Sequence, residues 1–219
     1  MFVAARSTAL VAILALPLLV VSRADADVLG SSGWKAVFQD GASGSFTVVS
    51  EVPGESVTIS ITKTLNAPSP GEMPSVRIGF SPANFAVAPA PRIVISSETV
   101  ENDTGLAWSE YRWMVSPSGK AAFNTASAWS VSPWFDNSAL QWLSTSTTSE
   151  LWAGGGSGVP SGGTFTPSGS LIIDAVPSAM MMFDLKQIAV PEPSALVLIL
   201  AALAGALCRR GARKARPGR

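Results

Sequence analysis

Short segments in which apolar and polar residues alternate make up the middle of this chain. Residues 57–62 alternate cleanly, and 45–49, 76–80, 92–96 and 111–115 follow the same pattern less strictly. Alternation with a period of two gives a strand one buried and one exposed face. Because Gly, Pro, Ser and Asn separate several such segments, we predict an all-β sandwich of jelly-roll or immunoglobulin-like topology.

The chain has 219 residues, no histidine and one cysteine, Cys208. This composition excludes a histidine general base, Ser-His-Asp and Cys-His catalytic pairs, a Cys/His zinc site and an intramolecular disulfide. No loop has the oxygen-ligand spacing of a calcium site. We therefore expect a protein that is not an enzyme and that carries no cofactor and no metal.

Charge is distributed unevenly along the chain. Residues 24–188 contain seven basic and fourteen acidic residues, so the formal charge of this part is −7. An acidic domain repels phosphate backbones, and we therefore expect no binding to nucleic acid.

The N-terminus has the features of a secretory signal peptide over residues 1–26. A short basic segment precedes an apolar run at 7–21, and Ala24 and Ala26 supply small residues at the −3 and −1 positions of a cleavage site. Such segments are removed during export. The domain is therefore expected to begin at residue 27 and to end at 188.

The C-terminus combines three features in a fixed order. Pro191, Glu192 and Pro193 come first and are expected to form an extended, accessible stretch. The apolar segment 194–208 follows and would form a transmembrane helix only about 22 Å long, against a hydrocarbon core of about 30 Å. A basic tail ends the chain and is expected to stay cytoplasmic; its charged residues are Arg209, Arg210, Arg213, Lys214, Arg216 and Arg219.

This ending, residues 189–219, resembles the PEP-CTERM sorting signal of Gram-negative bacteria. The resemblance implies recognition of Pro191, Glu192 and Pro193 by exosortase, a membrane-embedded cysteine transpeptidase. It also implies the secretion machinery as a partner, transient membrane insertion through 194–208, and an association with exopolysaccharide and biofilm. The expected location is first the inner membrane and then the cell surface or extracellular matrix.

A second resemblance concerns the segment 93–115. Its Val-x-Asn-x-Thr-Gly sequence, ahead of a Trp and an aromatic strand, is similar to a stretch that recurs in exported β-sandwich proteins. We interpret it as strand, turn and strand, with Asn102 in the turn and Gly105 at positive φ. The nearby carboxylates Glu98, Glu101, Asp103 and Glu110 are expected to face solvent.

Aromatic and glycine-rich segments complete the domain. We expect Trp108 and Trp113 in the core, whereas Trp129, Trp134 and Trp142 could either fill the core or stack on sugar rings. The glycine-rich segment 153–163 lacks a phosphate-loop motif and is expected to be a flexible loop.

Three functions are compatible with these features. The leading hypothesis is a non-enzymatic surface or matrix protein exported and processed through its C-terminal signal. The alternatives are a lectin-like carbohydrate-binding module and a secreted polysaccharide-active hydrolase that uses a pair of carboxylates.

Overall fold

The computed structural model describes residues 26–69, 72–176, 178 and 180–192, and these residues form two β-sheets. The predicted all-β class is therefore confirmed. The first sheet, sheet A, contains seven strands in the order β1 (Asp27–Val28), β2 (Trp34–Gln39), β5 (Ser75–Pro82), β14 (Phe183–Pro191), β7 (Trp108–Ser116), β11 (Ser149–Val159) and β10 (Gln141–Ser144).

The second sheet, sheet B, contains the other seven strands. Its main path is β3 (Gly44–Val52), β4 (Ser56–Asn66), β6 (Arg92–Asp103), β13 (Ser168–Ala175) and β8 (Ala121–Phe123), with β12 (Thr164–Phe165) on β6 and β9 (Ala128–Ser130) on β13. All strand pairs are antiparallel except β4 and β6, which run parallel. One 3₁₀ turn, Asn137–Ala139, precedes β10.

The core lies between the two sheets and follows from the alternation in the sequence. Val57, Ile59 and Ile61 of β4 are fully buried, and the residues between them are partly exposed. Trp113 of sheet A contacts Trp129 and the Phe165 ring of sheet B. This face-to-face packing is consistent with the predicted sandwich, and the buried aromatic rings contribute to its core.

The glycine-rich segment differs from its prediction. Instead of a flexible loop, β11 runs through it to Val159, and its pairing with β7 shifts register between Gly154 and Val159. Gly155, Gly156 and Gly158 have positive φ values, which glycine adopts without steric cost. The glycines therefore form an irregularity inside a strand.

Strand β14 also differs, because it continues past the predicted domain boundary at residue 188. Its pairing with β7 extends to Pro191, which lies opposite Trp108. A proline is tolerated in this place since it is the last residue of the strand and no ladder bond requires its missing N–H.

The predicted signal peptide and the predicted sorting signal lie mainly outside the described residues. These include Ala24, Pro193, the apolar segment 194–208 and the basic tail from Arg209 to Arg219. No helix within the described part of the chain combines the length and hydrophobicity needed to cross a bilayer.

Replacing Gly158 by alanine tests the account of the β11 irregularity. Gly158 has φ +67°, and an added Cβ would lie 2.2 Å from the main-chain oxygen of Trp108. Positive φ alone costs a non-glycine residue roughly 1–2 kcal/mol. We expect Gly158→Ala to lower the free energy of unfolding by more than this, measured by urea denaturation.

Gly162→Ala is the matched control. Gly162 has φ +73° but no atom within 4 Å of an added Cβ. It should show only the conformational cost. Equal losses in the two variants would contradict the proposed close approach of β11 and β7.

Candidate functional site

The predicted sorting motif joins the folded domain directly. Pro191 ends β14, and the Glu192 main-chain N–H donates to the Ala107 carbonyl at 2.9 Å. Glu192 is exposed and Pro191 partly exposed. The first two residues of the motif are therefore held against sheet A, an attachment that the predicted extended, accessible stretch did not include.

Among the residues that the structure describes, the strand beyond Ala189 is paired on one side only. The Ala189 N–H donates to the Pro74 carbonyl, and Ile188 is the last residue of β14 that pairs with β5. Val190 and Pro191 then pair with β7 alone. Detaching the end of β14 therefore requires breaking contacts to a single neighbouring strand.

Asn102 organises the turn beside this strand end. It was predicted to lie in the turn, but it is the second-last residue of β6, and its buried side chain makes bonds well beyond the turn. Its Nδ2 donates to the carbonyls of Leu106, Val159 and Pro160 at 2.8, 3.3 and 2.9 Å. One amide thus links β6 to the end of β11, so that Gly158 is fixed beside the motif.

Thr104 connects the same amide to the first residue of β7. Its main-chain N–H donates to Asn102 Oδ1 at 3.1 Å, and its Oγ1 accepts from Trp108 Nε1, also at 3.1 Å. Gly105 follows with φ +76°, as the turn was predicted to require. This network accounts for the Asn, Thr, Gly and Trp of the segment in physical terms.

Three tryptophans could either fill the core or stack on sugar rings. Of these, Trp129 lies in the core, which contradicts its possible role in sugar stacking. It is 6% exposed and packs edge-to-face on Trp113, so neither ring face is open to a ligand. Trp134 and Trp142 are partly buried and pack against the core. Trp108 and Trp113 are buried, as predicted.

A further tryptophan on the outer face of sheet A was not singled out from the sequence. Trp152 is partly exposed, but the Arg112 guanidinium lies over its ring at 3.7 Å. Its Nε1 donates to Glu150 at 2.9 Å. The cation–π contact covers one face of the ring. The signal in the sequence was the alternation within β11, which the glycines obscured.

The position of Glu98 also differs from its prediction. It was expected to face solvent with Glu101, Asp103 and Glu110, yet it is buried; Glu101 and Asp103 are exposed and Glu110 is partly exposed. The physical reason is a bulge at Ser96. Ile95 pairs with Ile59 and Ser97 with Ser60, so Ser96 is the extra residue and every later side chain of β6 changes face.

The Glu98 carboxylate lies at the centre of a polar cluster between the sheets. Oε1 is 3.1 Å from Lys63 Nζ and accepts from Gln187 Nε2 at 2.7 Å, and Oε2 accepts from Trp113 Nε1 at 2.9 Å. Tyr111 extends the cluster by donating its hydroxyl to Gln187 Oε1 at 2.8 Å. Sequence reasoning missed all of it.

The electrostatics of this cluster are set by burial. The Lys63 and Glu98 side chains are both 0% exposed. Burial lowers the pKa of Lys63, while the Glu98 carboxylate opposes that shift. Burial also raises the pKa of Tyr111 well above its usual value, and the charge of Glu98 adds to this effect. The phenol is therefore a hydrogen-bond donor at neutral pH.

One groove on the surface is large enough to hold a ligand. A groove of about 780 Å³ is lined by Asp40, Thr64, Asn66, Glu72, Lys186 and neighbouring residues, and none of the seven tryptophans lines it. Among the residues that the structure describes, no three Cys, Asp or Glu side chains come together as a metal site.

Replacing Glu98 by alanine tests the role of the buried cluster. The change would leave the Lys63 ammonium and two hydrogen-bond donors without their acceptor. Removing one partner of a buried ion pair costs about 3–5 kcal/mol. We expect the free energy of unfolding to fall by this amount. Urea denaturation monitored by Trp fluorescence would measure it.

The exposed Glu55 supplies the control. Glu55→Ala removes the same group from a solvated position and should change the free energy by less than about 0.5 kcal/mol. If both variants unfolded at the same urea concentration, Glu98 would not be the buried centre described above.

Comparisons with known proteins leave the chain without an assigned relative. No protein-family model matches it, and comparisons with curated proteins and with solved structures give no significant match. Functional arguments therefore depend on the residues and the geometry described above.

Proposed function

We propose that this chain is an exported, non-enzymatic surface or matrix protein whose C-terminal segment is a sorting signal processed by exosortase. The precursor would consist of a signal peptide, a β-sandwich of jelly-roll or immunoglobulin-like type, and a transmembrane helix with a basic tail. After processing, the domain would reach the cell surface or the extracellular matrix, where exopolysaccharide is the expected neighbour.

One observation carries this proposal beyond the sequence. Strand β14 leads directly into Pro191 and Glu192, and Glu192 is exposed next to the Ala107 carbonyl. The first two residues of the motif thus lie at the end of the last strand with no intervening linker. A membrane-embedded transpeptidase acting there would meet a short segment held by β7 alone, and cleavage would leave the sheets intact.

The motif is tested by replacing residues 191–193 with alanines in the native host. We expect the variant to stay in the membrane fraction with Arg219 attached, because the transpeptidase no longer recognises it. Cell fractionation followed by intact mass measurement would show this. The exposed Glu55→Ala variant is the matched control and should be released normally. Release of the alanine variant at the normal rate would contradict the proposal.

Carbohydrate binding is the second candidate function, and the partial exposure of Trp134 and Trp142 favours it. Both lie apart from the groove beside Lys186, so a sugar would have to stack on them directly. A hydrolase is less well supported because Glu98, one of the clustered carboxylates, is sealed in the core.

Titrating the protein with purified host exopolysaccharide while following Trp fluorescence tests this candidate. If the module binds sugar, Trp142→Ala should weaken binding about fivefold, since stacking on one aromatic contributes about 1 kcal/mol. Trp152→Ala, on the outer face of sheet A, is the control. Release of reducing ends would indicate a hydrolase instead. If neither the fluorescence nor the reducing ends changed, the non-enzymatic surface or matrix protein would be favoured.

A further inference from the structure

The buried cluster around Glu98 has no part in sorting or in sugar binding. It brings together an amine, a carboxamide, a carboxylate and a phenol. Lys63 comes from β4 of sheet B, and Gln187 comes from β14 of sheet A. Both side-chain nitrogens lie within 3.1 Å of the same oxygen, Glu98 Oε1.

The amine of Lys63 is held without a firm hydrogen bond. Its Nζ is 3.1 Å from Glu98 Oε1, and this ion pair is its one polar contact among the described residues. A buried ammonium with one contact is poorly stabilised. Transfer of its proton to Glu98 would leave a neutral amine, which is a nucleophile.

The carboxamide of Gln187 is held by hydrogen bonds at both of its polar atoms. Tyr111 donates its hydroxyl to Oε1 at 2.8 Å and so polarises the carbonyl, as an oxyanion-stabilising donor does. Nε2, the group that would leave, donates to Glu98 at 2.7 Å. Trp113 holds the other oxygen of Glu98 and fixes the carboxyl group between amine and amide.

From this geometry we infer that Lys63 and Gln187 condense to an intramolecular isopeptide bond, with Glu98 as the proton-transfer group and Tyr111 as the donor to the carbonyl oxygen. The inference does not depend on the proposed export and sorting. The link would join sheet B to the last strand of sheet A through the core.

The reaction balances without any additional reagent. Proton transfer within the ion pair gives a neutral Lys63 amine and a protonated Glu98. The Nζ lone pair forms a bond to Gln187 Cδ, and the Cδ–Nε2 bond breaks. Glu98 gives its proton to Nε2, which leaves as ammonia, and takes one proton from Nζ. The products are a secondary amide, ammonia and a neutral Glu98, with no change in oxidation state.

Burial favours this product. The ion pair places two charges in a site with no solvent contact, where their desolvation is costly. The amide and the neutral carboxylic acid remove both charges and keep hydrogen-bonding groups in place. Ammonia escapes to solvent, and the absence of bulk water from the site opposes hydrolysis of the new bond.

Intact mass of the folded, full-length chain tests the inference. We expect a mass lower than that of the sequence by one ammonia molecule. Digestion should give a linked pair of peptides that contain Lys63 and Gln187. Trypsin is unsuitable because cleavage after Lys186 places Gln187 at a peptide N-terminus, where cyclisation also releases ammonia. Chymotrypsin avoids this complication.

Three variants identify the groups involved. Glu98→Gln keeps the shape of the side chain but cannot exchange the proton, and Lys63→Met removes the nucleophile; both should have the full sequence mass. Tyr111→Phe should slow the loss of ammonia after refolding by at least about tenfold, in line with removal of one such donor. Far-UV circular dichroism of each variant shows whether the sheets have formed.

Two results would overturn the inference. One is a wild-type chain that has the full sequence mass although its sheets have formed. The other is a mass lower by one water molecule, because that would place the bond between Lys63 and the Glu98 carboxyl instead of Gln187.

Discussion

A single carboxylate buried between two sheets imposes the strictest requirement on this molecule. Glu98 cannot be left without partners in a medium of low dielectric constant, and its three partners come from different strands: Lys63 from β4, Trp113 from β7 and Gln187 from β14. The apolar contacts around it tolerate small displacements. The hydrogen bonds and the ion pair of the carboxylate do not tolerate such displacements. The carboxylate therefore sets the relative position of the sheets along the strand direction.

Sequence alternation predicted several of the strands but not this centre. Lys63 follows Val57, Ile59 and Ile61 at the same spacing of two, so the pattern already directed it inward, and the same holds for Gln187 between Leu185 and Ala189. Glu98 could not be found in this way. The bulge at Ser96 reverses the faces of β6, and no local feature of the sequence reveals an inserted residue that depends on pairing with β4.

The end of the domain shows the same limit. The positive φ of Gly105 was predicted because a turn is a local feature, and the structure confirms it; the long-range bonds of Asn102 were not predicted. Two other features depend on strands far apart in the chain. One is the close approach of Gly158 in β11 to Trp108, and the other is the pairing of Pro191 within the sheet. Composition alone favoured a flexible loop around Gly158 and an extended, accessible stretch at Pro191.

The position of β14 in sheet A determines how the molecule would respond to tension. It lies between β5 and β7 and is hydrogen-bonded on both sides over residues 184–188. Traction on Glu192 along the strand would load these bonds together in shear, whereas an edge strand could peel away one bond at a time. A protein tethered through its last residues, to a bilayer or to a surface polymer, would thus be held by the central strand of its own sheet.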